Sequence, residues 1–450
     1  MNKTIKFFIS ECNAAIKAED GTKFRNCITI SPGASAGDAR AEFPEPSDFD
    51  LYNVEERFRP VIKYYLKLMK AIYKYKSIEA TFVELNEMLN SLIRAAEFHT
   101  NWINESLINS LNELITVYKV IQQRNPEDLS TYEFQDAEVD GFGMPSKGTT
   151  LEQLATTINK AFKVSLNDKN LDLRTSKRND IYFFLANLMK VYFKLNKLEL
   201  AKSVEKALKG TRFNLPNMKS SVTNKKYSII YLYYSSLLSL DDGDYISAET
   251  KLDDALSILC YHAKPYSKQS KQILLILLPL KLYNKNQFIK NDKFWSKYPD
   301  LKLVYKDNLF PAILKGNISK FDESLKKFEI IFLKNHLYLL IEKMRMQCYL
   351  RLVRRTFLIH KEFASPGKDF IVPLSCFQVA FEYSKYHMNY VIQVDLNNHS
   401  FNYSTNEVEC ILASLISQKP AVMKGYISHS NKCMVFSKSE PFVNDSKTKE

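Results

Sequence analysis

The chain has 450 residues, 45% of them hydrophobic and 25% charged, which is enough to bury the cores of two or three domains. Its 63 Lys and Arg against 50 Asp and Glu give a formal charge of +13, which favours an acidic or polyanionic partner. Only 11 glycines and 15 prolines leave little room for a many-turned β architecture. The seven cysteines contain no Cys-x-x-Cys pair, and the longest apolar run, residues 273–280, is too short to span a membrane. We expect a soluble protein with free thiols in the cytosol or nucleus.

The first 149 residues combine amphipathic helices with two stretches that lack periodicity. Residues 20–50 contain clustered Gly, Pro and Ser, which predicts a loop or tether within a partly flexible segment, 1–53. From Val54 onward, apolar residues recur at i, i+3, i+4 and i+7. The predicted helices span 54–75, 78–100 and 102–122. An acidic stretch, 123–149, ends this region (54–149) and is predicted to be a solvated loop.

From residue 150 the predicted helices come in pairs. The pairs are 181–195 with 198–208, and 227–240 with 245–259. Small residues hold matching places in the second helix of each pair, Ala201 with Ala248 and Ala207 with Ala255. Gly316-Asn317 also matches Gly243-Asp244, and each pair is predicted to form a turn before a helix. This pattern predicts a mainly α protein in which residues 150–345 form a right-handed, TPR-like helical-repeat solenoid. An unrelated helical bundle is the alternative.

The pattern changes in the C-terminal region, where residues 346–440 predict a winged helix followed by a tail, 441–450. A short strand at 370–374 contains Pro373, which restricts it to a sheet edge. A helix at 375–384 follows, and Ser404 and Glu407 have capping-box spacing at the start of the next helix. Residues 424–438 then alternate like a hairpin with a turn at 429–432. The hairpin is expected to close a three-stranded sheet against the helix pair.

Positive charge concentrates between residues 301 and 361, where thirteen Lys or Arg stand against five Asp or Glu. No carboxylate occurs between 343 and 361, and five cations fall within a helical arc of about 120° there. These are Lys343, Arg351, Arg354, Arg355 and Lys361. The hairpin adds Lys424, Lys432 and Lys438. Because Arg binds phosphates through forked donors, we predict a nucleic-acid-binding surface at these eight residues. The alternatives are a solvated face and an acidic protein partner.

Sequence-specific binding and catalysis are both disfavoured. Glu407 and Glu409 near the start of the last helix would repel phosphates, so we expect backbone binding without sequence preference. The chain contains no P-loop, dinucleotide fingerprint or His-Glu-x-x-His motif. His429 and Cys433 have no companions, whereas a zinc site needs about four ligands. We therefore predict no catalytic, cofactor-binding or metal-binding residues.

Helical hairpins that run into a winged helix resemble the PCI domain of proteasome-lid, signalosome and initiation-factor scaffolds. Four segments look like the signalosome subunit-twelve-like branch of that family, which is related to the PCI subunit of the nuclear mRNA-export complex (TREX type two). They are residues 161–170, 277–280, 314–317 and 426–438. The resemblance covers about 150–440, and 54–122 more loosely. The last segment, YISHSNKCMVFSK, is the most specific.

The resemblance implies a non-enzymatic scaffold that pairs with a second PCI protein and holds a small, acidic, disordered lid-type protein against the solenoid. It also implies binding of RNA or DNA during transcription elongation, splicing, mRNA maturation and export, with a location in the nucleus and also in the cytoplasm. We expect the partner interface at Tyr426, Ile427, Ser428, Met434 and Phe436. The alternative is a structural subunit of the cullin-deneddylating signalosome without nucleic-acid contact, in which another subunit carries the metalloprotease activity.

Overall fold

The computed structural model describes residues 4–124, 149–262, 267–365, 367–386, 402–418 and 422–443. This part of the chain is mainly α-helical and ends in a small antiparallel sheet, which confirms the predicted fold class. Its contacts divide it into two compact units, Met1–Tyr234 and Ser235–Glu450. Within the described ranges, no helix combines the length and the apolar character needed to cross a membrane.

All regular secondary structure in the described residues of the first unit is helical. The helices are α1 (Ile5–Lys17), α2 (Gly21–Ile28), α3 (Ala34–Ala41), α4 (Arg59–Met69), α5 (Ile78–Ala96), α6 (Asn104–Arg124), α7 (Thr150–Leu166), α8 (Ile181–Lys194), α9 (Leu198–Lys209) and the start of α10 (Val222–Asp241). Short 3-10 turns occupy Glu56–Phe58, Asn101–Ile103 and Lys177–Asp180, and a π-helical turn occupies Lys70–Lys74. The predicted helices between 54 and 122 and the pair at 181–208 are confirmed. Nearly all of the predicted acidic loop, 123–149, lies outside the described residues.

The prediction of a loop at 20–50 is wrong for most of its first two thirds, because α2 and α3 lie there, but residues 43–50 contain no helix or strand, as predicted. Phe8 of α1 stacks on Tyr65 of α4, with ring centroids 5.6 Å apart, so these helices share the core of the unit. Gly37 lies inside α3, where an added Cβ would come within 2.2 Å of the Tyr73 ring. The glycine therefore allows a close helix contact and does not mark a turn.

The second unit continues the helices and adds the sheet. It contains the end of α10, then α11 (Tyr245–His262), α12 (Lys268–Lys285), α13 (Asp292–Lys297), α14 (Pro299–Leu301), a π-helical segment (Lys302–Leu309), α15 (Phe310–Lys315), α16 (Ile318–Lys327), α17 (Glu329–Lys334), α18 (Tyr338–Phe363), α19 (Leu374–Tyr386) and α20 (Thr405–Ile416). The strands are β1 (Ile371–Pro373), β2 (Gly425–Ser428) and β3 (Cys433–Phe436). The predicted helix at 245–259 and all three strands are confirmed.

Two turns of the second unit are built alike, as the repeat pattern predicts. Gly243 follows α10 and Gly316 follows α15, and both have a left-handed backbone, with φ of +75° and +68°. Asp244 and Asn317 come next, and each side chain accepts a backbone N–H of the following helix, at 3.0 and 2.9 Å. Each turn thus ends one helix and caps the next.

The prediction that the four matched alanines occupy equivalent helix contacts is confirmed only in part. Three of the four are fully buried, namely Ala201, Ala248 and Ala255. Ala207 is exposed instead, because α9 buries the face that carries Val204 and Leu208. The predicted equivalence of Ala207 and Ala255 is therefore wrong.

The winged helix forms as predicted. The sheet order is β1-β3-β2, so β1 with Pro373 lies at an edge. The Ser404 hydroxyl accepts the N–H of Glu407 at 3.2 Å, and the Glu407 carboxylate accepts the N–H of Ser404 at 2.7 Å, which completes a capping box at the start of α20. Lys432, in the hairpin turn, has a left-handed backbone with φ +48°.

The long helix α18 connects the preceding helices to the winged helix. Phe357 of α18 packs against Phe436 of β3, with ring centroids 4.6 Å apart. Near the other end of the winged helix, the buried Ser384 hydroxyl donates to the carbonyl of Gly316 and accepts the N–H of Ile318, both at 2.8 Å. Because α18 is one helix from Tyr338 to Phe363, it crosses the expected boundary between residues 345 and 346.

Candidate partner and nucleic-acid surfaces

The side chains of α18 divide between a buried face and a cleft. Val353 and Phe357 are buried, as expected for the face opposite the basic arc. Met346 and Leu350 are only half-buried and line a cleft of about 570 Å³ in the second unit. This volume lies in the range typical of ligand pockets.

Three of the five arc cations line this cleft, which we name the basic cleft. They are Lys343, Arg351 and Arg354. Its opposite walls come from the turn after α10, the end of α12 and the C-terminal segment, with Tyr245, Asn286 and Phe442 among the lining residues. Asp244 also lines the cleft, but its carboxylate caps α11. Positive charge therefore dominates the wall formed by α18.

Contacts within the cleft hold α18 in place. The Lys343 ammonium lies 4.8 Å from the centre of the Tyr245 ring, a cation–π distance. The Gln347 side-chain amide donates to the carbonyl of Tyr283 at 2.9 Å. Burial raises the pKa of the Tyr283 phenol, and the nearby charge of Lys343 opposes that shift. The phenol is therefore neutral at physiological pH.

The other two arc cations have contacts elsewhere in the chain. Arg355 donates to the carbonyl of Lys315 at 2.8 Å, at the end of α15. The Lys361 ammonium lies 3.7 Å from the carboxylate of Asp369. The predicted arc is present on the helix, but only Lys343, Arg351 and Arg354 line the basic cleft, whereas Arg355 and Lys361 contact other segments.

The three hairpin lysines do not converge on one point. Lys424 forms an ion pair with Glu440, whereas the Lys438 ammonium lies 4.5 Å above the ring of Phe370. Lys432 is exposed at the tip of the turn. Their contribution to an anion-binding surface stays a prediction.

The structure corrects part of the predicted partner interface. Met434 and Phe436 are 0% and 2% exposed, because β3 is the central strand and these side chains point into the core. They cannot offer their side chains to a partner. Tyr426 is 64% exposed, and Ile427 and Ser428 are half-buried.

The outer face of the sheet carries a row of apolar residues that the sequence reasoning missed in part. Val435 lies directly opposite Tyr426 of β2 and also opposite Ile371 of β1. Val435 and Ile371 are half-buried, so the row is open to solvent at Tyr426. Alternation along β3 could have assigned Val435 to this face, since its neighbours Met434 and Phe436 face inward. We name these three residues the outer row.

His429 and Cys433 both have surroundings that suit a structural role and not a metal site. The His429 ring nitrogen Nδ1 lies 2.9 Å from the Glu409 carboxylate, and Cys433 is buried. Within the described ranges, no group of three or more His, Cys, Asp or Glu side chains is arranged to hold a metal ion.

Five residues of the segment 161–170, which contributes to the family resemblance, line a cleft of about 800 Å³ in the first unit. Asp168 accepts the backbone N–H of Lys177 at 2.7 Å and the hydroxyl of Ser176 at 2.9 Å. The Lys177 ammonium donates to the carbonyls of Ala96, the last residue of α5, and His99, at 2.9 and 2.7 Å. Lys177, which is bonded to Asp168, therefore connects the residues that follow α7 to the end of α5.

The helices lead into a winged helix, and the PCI domain family model matches residues 378–438. The chain is 52% identical over 444 residues to Protein CSN12 homolog of Debaryomyces hansenii, covering 98% of this chain and 99% of that protein. It is 31% identical over 298 residues to Protein CSN12 homolog of Schizosaccharomyces pombe, covering 66% and 63%. It is 24% identical over 448 residues to PCI domain-containing protein 2 of Xenopus laevis, covering 98% and 97%. The chain therefore belongs to the CSN12-homolog family of PCI-domain proteins.

Proposed function

We propose that this chain is a non-enzymatic scaffold subunit of a signalosome-type assembly and that it pairs its winged helix with a second PCI-domain protein. The similarity to a CSN12 homolog along nearly the whole chain supports this proposal. The structural observation that carries it is the exposure of the outer row. Tyr426 is 64% exposed, and Val435 opposite it is half-buried.

The sheet edge beside Tyr426 supports the same proposal. In the part of the chain that the structure describes, β2 has β3 as its only neighbouring strand. An exposed strand edge offers backbone donors and acceptors to an added strand. Large aromatic side chains at the centre of an interface contribute disproportionately to binding. A partner strand beside β2 would bury Tyr426 and would hydrogen-bond to the backbone groups at the open edge of β2.

Affinity purification of the full chain with its native partners tests this proposal. We expect Tyr426→Ala to lose the second PCI protein, as identified by mass spectrometry. Tyr52→Ala is the matched control, because Tyr52 is 75% exposed in the first unit and should leave the partner set unchanged. Retention of every partner by Tyr426→Ala would reject the pairing surface.

A second candidate function is the binding of RNA or DNA backbone during transcription-coupled mRNA maturation in the nucleus. The basic cleft supports it, because Lys343, Arg351 and Arg354 line one cavity. Forked guanidinium donors suit phosphate groups, and the affinity of such contacts depends strongly on salt. The same cleft also suits an acidic protein chain, including the small acidic partner implied by the family resemblance.

Charge reversal in the cleft separates these possibilities. Arg351→Glu combined with Arg354→Glu should weaken RNA binding and reduce its salt dependence by about 0.7 to 0.9 units of slope per lost phosphate contact. The double variant Lys163→Glu and Lys169→Glu makes the same charge change on exposed residues of the first unit and serves as the control. Loss of an acidic subunit with unchanged RNA affinity would favour the purely structural role.

A further inference from the structure

The basic cleft has two chemically different walls. The helix α18 supplies three cations, Lys343, Arg351 and Arg354. The start of α11 supplies Ile246, an aliphatic side chain that is 71% exposed. Asp244, two residues before Ile246, adds a negative charge to the same wall. A phosphate in the cleft would therefore lie against α18, whereas the α11 wall suits an uncharged, flat group.

The two arginines of the cleft are recessed. Arg351 and Arg354 are half-buried, whereas the neighbouring Arg355 on the same helix is exposed. The cleft has a volume of about 570 Å³. Pockets of about 300 to 1,000 Å³ hold drug-sized ligands, so the cleft has room for a nucleotide-sized group but not for the width of a double helix. A phosphate must enter the cleft to reach the arginines.

The C-terminal wall of the cleft is a fixed part of the winged helix. The Lys424 N–H donates to the Pro441 carbonyl at 2.9 Å, and the Val443 N–H donates to the Val422 carbonyl at 3.1 Å. Phe442, which lies between these two bonds in the sequence, is only 8% exposed. The cleft therefore keeps its depth, and a ligand has to fit its dimensions.

These features distinguish between two forms of nucleic acid. A duplex carries its phosphates on a rigid cylinder and hides its base faces in the stack, so it can meet the rim but not the recessed arginines and the apolar wall. A single strand can bend a phosphate into the cleft and turn an unstacked base onto apolar side chains. The amides of Asn286 and Gln418 also line the cleft and can donate to or accept from base edges.

We propose that the basic cleft binds single-stranded nucleic acid in preference to duplexes, with a phosphate against Arg351 and Arg354 and a base against Ile246. This preference rests on the proposed nucleic-acid-binding function of the cleft and specifies the form of its ligand. The base contact is made by an aliphatic side chain, so it requires an unstacked base but no particular sequence.

Fluorescence anisotropy with the full-length chain tests the preference. The probes are labelled oligouridylate, oligothymidylate, an RNA duplex and a DNA duplex, all of one length, and the two single strands separate RNA from DNA as the ligand. We expect single strands to bind about tenfold or more tightly than duplexes. Arg351→Gln combined with Arg354→Gln should weaken single-strand binding and reduce its salt dependence by about 0.7 units of slope per lost phosphate contact.

Ile246→Ser tests the base contact separately from the phosphate contact. Loss of the aliphatic side chain should weaken single-strand binding about three- to tenfold. The salt dependence should not change, because no phosphate contact is lost. Ile330→Ser is the matched control, since Ile330 is 68% exposed on α17 in the same unit and does not line the cleft. Both isoleucines are exposed, so neither change should impair folding.

Each contrary result identifies a different error. If duplexes bind as tightly as single strands and both lose affinity in the arginine variant, the cleft binds nucleic acid but the preference for single strands is wrong. If the arginine variant binds every probe as the wild type does, the nucleic-acid function of the cleft fails as well, in favour of an acidic protein chain. If Ile246→Ser and Ile330→Ser behave alike, the base contact is rejected.

Discussion

Gly316 lies directly against the backbone of Leu352, so that a Cβ added to this glycine would come within 2.8 Å of the Leu352 nitrogen. This contact seats the turn between α15 and α16 on the middle of α18, next to the segment that carries Arg351 and Arg354. The left-handed backbone of Gly316, with φ +68°, adds a second reason for glycine at this position.

Gly316→Ala should therefore destabilise the second unit by two effects. Left-handed backbone costs about 1 kcal/mol or more for a residue with a Cβ, and displacement of the α18 backbone adds to that cost. Gly367→Ala is the matched control, because its φ is +86° but no atom lies within 4 Å of the added Cβ. Urea unfolding should show a larger loss for Gly316→Ala, and equal losses would contradict the packing role.

Met434 and Tyr426 should respond in opposite ways to truncation. Met434 is 0% exposed in the winged-helix core, so Met434→Ala should cost about 2 to 5 kcal/mol of folding free energy. Tyr426→Ala removes a mostly exposed side chain and should change stability by about 0.5 kcal/mol at most. Denaturant unfolding measures both. A large loss of stability in Tyr426→Ala would mean that the outer row supports the fold.

Asp168 should make the stability of the first unit depend on acid pH. Burial alone would raise the pKa of its carboxyl, but the bonds from the Lys177 N–H and the Ser176 hydroxyl lower the pKa below its ordinary value of 3.8. A depressed folded-state pKa gives stability that is present above 3.8 and is lost as pH falls through the folded-state value. Asp168→Asn should remove this part of the acid dependence in pH-resolved unfolding. Glu87→Gln, in the same cleft, is the control.

Lys177 should be more important for folding than its exposed neighbours. The Lys177 side chain is buried, and its ammonium donates to the carbonyls of Ala96, at the end of α5, and His99, so Lys177→Met would remove this donor from the His99 carbonyl. We expect a loss of about 2 kcal/mol or more, because unpaired buried polar groups keep their full desolvation cost. Lys169→Met, an exposed residue of the same cleft, should have little effect in the same thermal unfolding experiment.

Local patterns in the sequence account for much of the fold. The capping box of Ser404 and Glu407 and the turns at Gly243 and Gly316 depend on neighbouring residues, and all are found where the sequence predicts them. Pro373 likewise lies at a sheet edge, because it cannot donate a ladder hydrogen bond. Such features can be predicted because their physical causes act over a few residues.

Features that depend on distant contacts could not be predicted in this way. Gly37 looks like a helix breaker in the sequence, but it is required by the ring of Tyr73, far along the chain. The contacts of the basic arc likewise depend on other elements. Arg355 donates to the carbonyl of Lys315, and the Lys343 ammonium lies over the ring of Tyr245. A helical projection identifies which side chains share a face but cannot tell which neighbours they meet.

The continuity of α18 has a practical consequence for dissecting this protein. Its 26 residues form a rod about 39 Å long, which carries cleft cations along its length and winged-helix core residues beyond its midpoint. A fragment starting at residue 346 would begin in mid-helix and discard Met344 and Ile341, both 0% exposed in the intact chain. Cutting there would leave the isolated winged helix with a frayed end and an uncovered apolar surface. Experiments on the isolated winged helix therefore need a fragment that includes all of α18.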